Sequence, residues 1–138
     1  MRIRNWEIAL AHHLSEVRKL PFVWGSNDCC LFAANAAQVI TGMDFAACFR
    51  GYGDEAGALE SLQRNGVSTV EEAASLVLGP PMDKIRFAKR GDVVSIRNGQ
   101  DQLSLGIMDL SGREACLVSR TRGFILVPLR LVNQAWSI

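Results

Sequence analysis

Apolar residues recur at three- and four-residue spacing through the first half of the chain, then alternate or form short β-branched runs beyond Arg90. One kind of element cannot serve both patterns, because a helix rotates successive side chains by about 100° while a strand alternates them between two faces. Helices first and strands afterwards make an α+β domain. Trp6, Leu10, His13, Leu14 and Val17 share one face and predict an amphipathic helix over residues 4–19, ended by Pro21. "CCLFAANAAQVI", beginning at Cys29, is apolar nearly all round and predicts a helix packed on most sides, with Gly42 as its stop. Asp54 and Glu55 open a third helix that Gly66 closes; Ser68 with Glu71 reads as a capping box for a fourth, stopped by Gly79-Pro80-Pro81. "DVVSI", "LSLGIMDL", "EACLVS" and "FILVPL" are strand-like runs separated by Asn98-Gly99, Ser111-Gly112 and Arg122-Gly123, and "NQAWSI" adds a last short strand.

With 138 residues, no repeat and no linker, residues 1–138 read as a single domain. The 49% hydrophobic content is enough to bury a core, and a formal net charge of +1 supplies no bulk field toward nucleic acid or anionic membrane. A partner must be argued from sites. The opening segment is interrupted by Glu7, His12, His13, Ser15 and Glu16, unlike a signal peptide, and no apolar run predicts a membrane span. Synthesis in the cytosol is the expectation. Two of the four cysteines are adjacent and the others lie in apolar runs, which predicts thiols rather than a disulfide framework. Neither His12-His13 nor Cys29-Cys30 has the gap that structural zinc sites favour, so no metal or other cofactor is expected.

The chemistry-bearing stretch is "PFVWGSNDCCLF". A thiol attacks as the thiolate, and the positive end of a helix favours that form. Cys29 is therefore the candidate nucleophile, with Asp28 as N-cap and Trp24-Gly25-Ser26-Asn27 able to offer backbone N–H groups as an anion hole. The bland reading is an apolar helix start carrying two core cysteines.

"WGSNDCCLF", then "RGDVVSI", then "LSLGIMDLSG" resemble the pattern of NlpC-type peptidases, papain-like cysteine peptidases of bacterial cell walls. The resemblance implies that fold, with a central Cys-headed helix packed on a C-terminal antiparallel sheet formed by residues 92–138. It also implies roles. Cys29 takes the nucleophile position and Cys30 that of the family's serine, and Asp92 follows Gly91 in a Gly-Asp pair. Leu105-Gly106-Ile107 match the family's Val-Gly-Ile run, which puts Ser104 where the base histidine stands. The orienting polar residue falls near Cys116. A serine hydroxyl hardly ionises at neutral pH and cannot replace the histidine as general base. His13 is the substitute to weigh, with Asp28, Asp92 and Asp109 more simply caps or turn residues.

Together with "FRGY" and a closing "VPL…AW-x-I", the pattern is similar to small NlpC-like proteins of phage and prophage tails that lack the usual histidine. That resemblance implies a structural and assembly role in the tail tip or baseplate of a virion, against hub, distal-tail and central-fibre proteins. Trp24, Arg50, Tyr52 and Trp136 are the expected docking anchors. Phe45 and Phe49 read equally as anchors or as staples of the helical layer, and Lys89, Arg90, Arg120 and Arg122 as a solvated basic rim. The alternative is an active cysteine peptidase or amidase opening peptidoglycan peptides.

Overall fold

The computed structural model describes residues 1–138. Helices α1 (Trp6–Val17), α2 (Leu31–Thr41), α3 (Glu55–Arg64) and α4 (Val70–Leu78) precede strands β1 (Val93–Arg97), β2 (Leu103–Met108), β3 (Glu114–Ser119), β4 (Gly123–Pro128) and β5 (Val132–Trp136). The fold is α+β, and its sheet is antiparallel throughout in the order β4-β3-β2-β1-β5. Three hairpins build the run from β1 to β4, as the turn signals predicted, and β5 returns to cover the free edge of β1.

Alternation along the strands divides the core. Leu105, Ile107, Cys116 and Val118 join Leu10 of α1, Phe32, Ala36 and Ile40 of α2 and Ala74 of α4 in one cluster. Val94, Ile96, Met108 and Leu117 face away from the helices, under the segment carrying Met82, Ile85 and Ala88. Alanines at 33, 36 and 37 let α2 approach β2 closely, because nothing longer than a methyl group stands between the backbones.

Three sequence expectations need correction. The second helix begins at Leu31, so Cys29 and Cys30 lie in the turn before it. The fourth is capped by Thr69, which accepts from the Glu72 N–H at 3.0 Å, one residue later than Ser68 with Glu71. Glu71 is engaged elsewhere: its Oε2 accepts from Ser95 Oγ and from Asn133 Nδ2, each at 2.6 Å, tying α4 to the sheet. Trp136 is no surface anchor. It is fully buried opposite Val93, with its indole N–H donated to Ser75 Oγ at 3.1 Å, because β5 fills the slot beside β1.

The "RGD" run is structural. Asp92 is 2% exposed, accepts from Arg2 Nη2 at 2.9 Å and from the Lys89 N–H at 2.8 Å, and sits where the chain enters β1. The same Arg2 donates to the carbonyls of Arg90 and Ile138 and stacks on Trp6. One guanidinium thus joins both terminal segments to the strand entry, using the fixed fork of donors that lysine lacks.

Candidate functional site

The turn before α2 is built around Asp28. Val23 and Asn27 exchange backbone hydrogen bonds of 2.9 Å, closing a tight loop that turns the Asp28 side chain inward. Its carboxylate is fully buried and accepts four hydrogen bonds: from the N–H groups of Gly25 (2.9 Å), Cys30 (3.0 Å) and Leu31 (2.9 Å), and from the Tyr52 hydroxyl (2.5 Å). Cys30, not Asp28, holds the N-cap position of α2, two residues later than expected; the Asp28 carboxylate instead holds the turn, accepting from the Leu31 N–H that opens the helix and from Tyr52 in the loop before α3. Gly25 is required here: at φ 86° it lies in the left-handed region, and a Cβ would meet the Tyr52 carbonyl oxygen at 2.1 Å. Burial, the bond to Asp28 and its charge raise the Tyr52 phenol far above its ordinary range, so it stays a donor.

Cys29 is fixed to the sheet by its backbone. Its carbonyl accepts from the Leu105 N–H at 2.7 Å. Register between β2 and β3 runs only through Ile107↔Cys116 and Met108↔Ala115, so the two strands part beyond that point and the Cys29 turn takes the place of β3 along β2. This docking sets Ser104, the residue before Leu105, on the strand beside the Cys29 turn, and both residues line one groove.

The electrostatics run against the expectation from a helix head. Burial first, then the Asp28 charge, push the Cys29 thiol up to about 11; its own backbone N–H and, after it, Arg120 oppose them only in part. The oriented N–H groups that would favour a thiolate, those of Cys30 and Leu31, are already bonded to Asp28. No side chain hydrogen-bonds the Cys29 sulfur, and Ser104 Oγ has no hydrogen-bond partner. Cys30 is pushed to about 12 by burial. It borders a small apolar cavity beside Ala37, Phe45 and Phe49.

His13 does not line the groove that holds Cys29 and makes no hydrogen bond to Cys29. It is half-buried on α1, its Nε2 makes no hydrogen bond, and burial followed by the neighbouring His12 lower its pKa. Cys116, at the orienting position, is fully buried on the helix side of β3; its thiol donates to the Ile107 carbonyl at 3.3 Å and is pushed up to about 12 by burial. Asp109 is a turn residue whose Oδ1 accepts from the Ser111 N–H.

A groove of about 1030 Å³ passes Cys29 and is lined by Trp24, Tyr52, Ser104, Ser119 and Arg120 among others. Arg120 joins two parts of its wall. Its guanidinium lies 4.8 Å from the centre of the Trp24 ring and pairs with Glu55 at the start of α3. The sequence marked Arg120 only as rim and Glu55 only as a helix opener; no local signal linked residues 65 positions apart. Of the four expected anchors, Trp24 and Tyr52 line the groove. Arg50 instead spends two donors within its own loop, on Asp44 at 2.8 and 3.0 Å, and one on Asn35 of α2 at 2.8 Å, while Phe49 is buried as a staple. No three or more histidine, cysteine or acidic side chains gather as a metal site, and no helix is long and apolar enough to cross a membrane.

Among solved structures the chain is similar to the NlpC/p60 domain of the peptidoglycan hydrolase SagA, with a TM-score of 0.58 and 17% sequence identity over 96% of this chain and 98% of that one. At that identity the likeness is one of fold: four helices and a five-stranded antiparallel sheet in a papain-like arrangement. Comparison with curated proteins finds no match. The sequence profile of DUF6950, described as a domain of unknown function, matches residues 1–138, and the chain therefore belongs to the DUF6950 family.

Proposed function

We propose that this protein is a non-hydrolytic NlpC-like domain that works as a structural and assembly component of a phage or prophage tail tip or baseplate, with the groove beside Cys29 serving as a docking surface. The observation that carries the non-hydrolytic part is the Cys29 thiol, pushed up to about 11 beside the Asp28 carboxylate and without a basic side chain on its sulfur. A cysteine nucleophile needs a lowered pKa or an adjacent base, and the raised thiol with no side chain bonded to its sulfur supports the non-hydrolytic reading. The tail assignment rests on the motif set "PFVWG-x-x-DC", "FRGY", "RGDVV" and "AW-x-I". Trp24 and Tyr52 are the groove's aromatic contacts for a neighbouring tail protein.

The competing reading, a peptidase or amidase acting on peptidoglycan peptides, draws on the half-buried Cys29 at the edge of the same groove and on the activity named for the structural neighbour. The two part on thiol chemistry. Cys48 is exposed, so alkylation is followed against pH in a Cys48→Ser background, with Cys29→Ser added as the blank. Slow labelling that accelerates only in strong alkali is expected. Rapid labelling at neutral pH, with wall-peptide hydrolysis that Cys29→Ala abolishes, would reverse the reading. The assembly role is tested separately, by deleting the gene from its phage or prophage and counting complete tails; normal tails would overturn it.

A further inference from the structure

Strand β4, "GFILVP", is an open edge of the sheet. Which of its backbone groups are free follows from the register. The Asp109 N–H donates to the Glu114 carbonyl, so Glu114, Cys116 and Val118 direct their backbone groups toward β2, and Ala115, Leu117 and Ser119 direct theirs toward β4. Their partners are Val127, Ile125 and Gly123. Phe124 and Leu126 consequently point both N–H and C=O outward, and none of these groups has a backbone partner. The row carries no charged side chain, and Leu126 is 47% exposed. A long apolar edge of this kind is a template for one more strand.

The charges around the edge select the strand. Arg122 precedes β4, Arg130 follows it, and the Arg18 guanidinium lies 5.6 Å from the Phe124 ring centre; none of the three forms an ion pair. The carboxylate nearest in register, Glu114, stands one strand inward opposite Pro128. A second copy pairing antiparallel through β4 would set Arg122 of one chain near Arg130 of the other, which repels. We propose that β4 is a docking edge for an extended segment of another protein, apolar at alternate positions and flanked by acidic residues, which adds to the sheet as a sixth strand beside Phe124 and Leu126. The main-chain bonds give affinity, and the arginines give orientation and exclude self-pairing. Ile125 and Val127 of the same strand, with Arg122, also line the Cys29 groove, but Phe124 and Leu126, whose free backbone groups form the edge, do not, and docking at the edge does not depend on the role proposed for the groove.

The probe is a fluorescein-labelled peptide of alternating valine and threonine flanked at both ends by aspartates, followed by anisotropy and by amide exchange. Binding should slow exchange at Phe124 and Leu126, fall about tenfold in Arg122→Glu/Arg130→Glu, and fall similarly when lysines replace the peptide's aspartates. Leu126→Pro removes an N–H that the β3 ladder does not use, so it tests the edge itself; should it not fold, the double charge reversal carries the test alone. Unchanged binding in a folded Leu126→Pro chain, or protection elsewhere than β4, overturns the proposal. So does a concentration-dependent dimer that Leu126→Pro abolishes, which would make the occupant a second copy.

Discussion

Cys29 stands between two differently built supports: Asp28, its neighbour in the chain, and Ser104, brought beside it through the bond from Leu105 N–H to Cys29 carbonyl. Asp28 has four donors on one buried carboxylate; Ser104 has no hydrogen-bond partner on its hydroxyl. The difference separates holding a cysteine from activating it. The Asp28 side fixes the turn, the helix start and Tyr52, and by doing so places a negative charge against the sulfur and consumes the N–H groups that would have stabilised a thiolate. The Ser104 side keeps the strand geometry of a papain-like cleft but supplies no group that can take a proton near neutral pH.

The strongest way to break this contrast is Asp28→Ala, which leaves three buried N–H groups and the Tyr52 hydroxyl without their acceptor. A loss on the order of 3 kcal/mol or more in urea unfolding is expected, against a change within about 1 kcal/mol for Ser104→Ala. Equal losses would mean the two supports share the load. Alkali offers a second route. In the folded chain Cys29, Cys30 and Cys116 hold their protons up to about 11, 12 and 12, above the ordinary 9.0 that they regain on unfolding, and Tyr52 shifts in the same direction. The unfolded chain therefore releases protons first, so stability is fully present below pH 9 and declines as pH rises toward 12. Urea midpoints taken on both sides of pH 9 should fall in that direction, and a flat profile would place these thiols in water. Tyr52→Phe removes one bond to a charged acceptor and should cost about 1.5 kcal/mol while leaving the turn folded, since three backbone donors remain on Asp28. The smallest change in stability sharpens the other side: Ser104→His should unfold within about 1 kcal/mol of the parent yet speed Cys29 alkylation near pH 7 by about tenfold, because a neutral imidazole beside the sulfur can take the thiol proton. No acceleration would mean that position 104 does not reach the sulfur.

Much of the fold was legible because the signals were local. Periodicity located α1 within two residues at each end, and Gly42, Gly66 and Gly79 mark helix ends with φ of 80°, 78° and 90°. Ser68 failed as a cap by one residue because Glu71 had a better use against Ser95 and Asn133, partners 24 and 62 positions away. Trp136 failed as an anchor for the same reason. A tryptophan in a short terminal strand is ambiguous until the strand finds β1, and burial then follows. At the site, Asp28, Cys29, Ser104 and Tyr52 were all named in advance, but the sequence gives no measure of burial, and burial is the first cause of the raised thiol pKa.

By itself the sequence determined what depends on near neighbours: the switch from helices to strands, the hairpins from β1 to β4 and the glycine stops. Only the tertiary structure decided what depends on distant surfaces meeting. The return of β5 buries Trp136, Arg2 joins both terminal segments to Asp92, and Arg120 joins Trp24 and Glu55 in the groove wall. Cys29 belongs to the second group. Its place in the chain made it a candidate nucleophile, while its pKa is set by the desolvation and the charge that packing imposes.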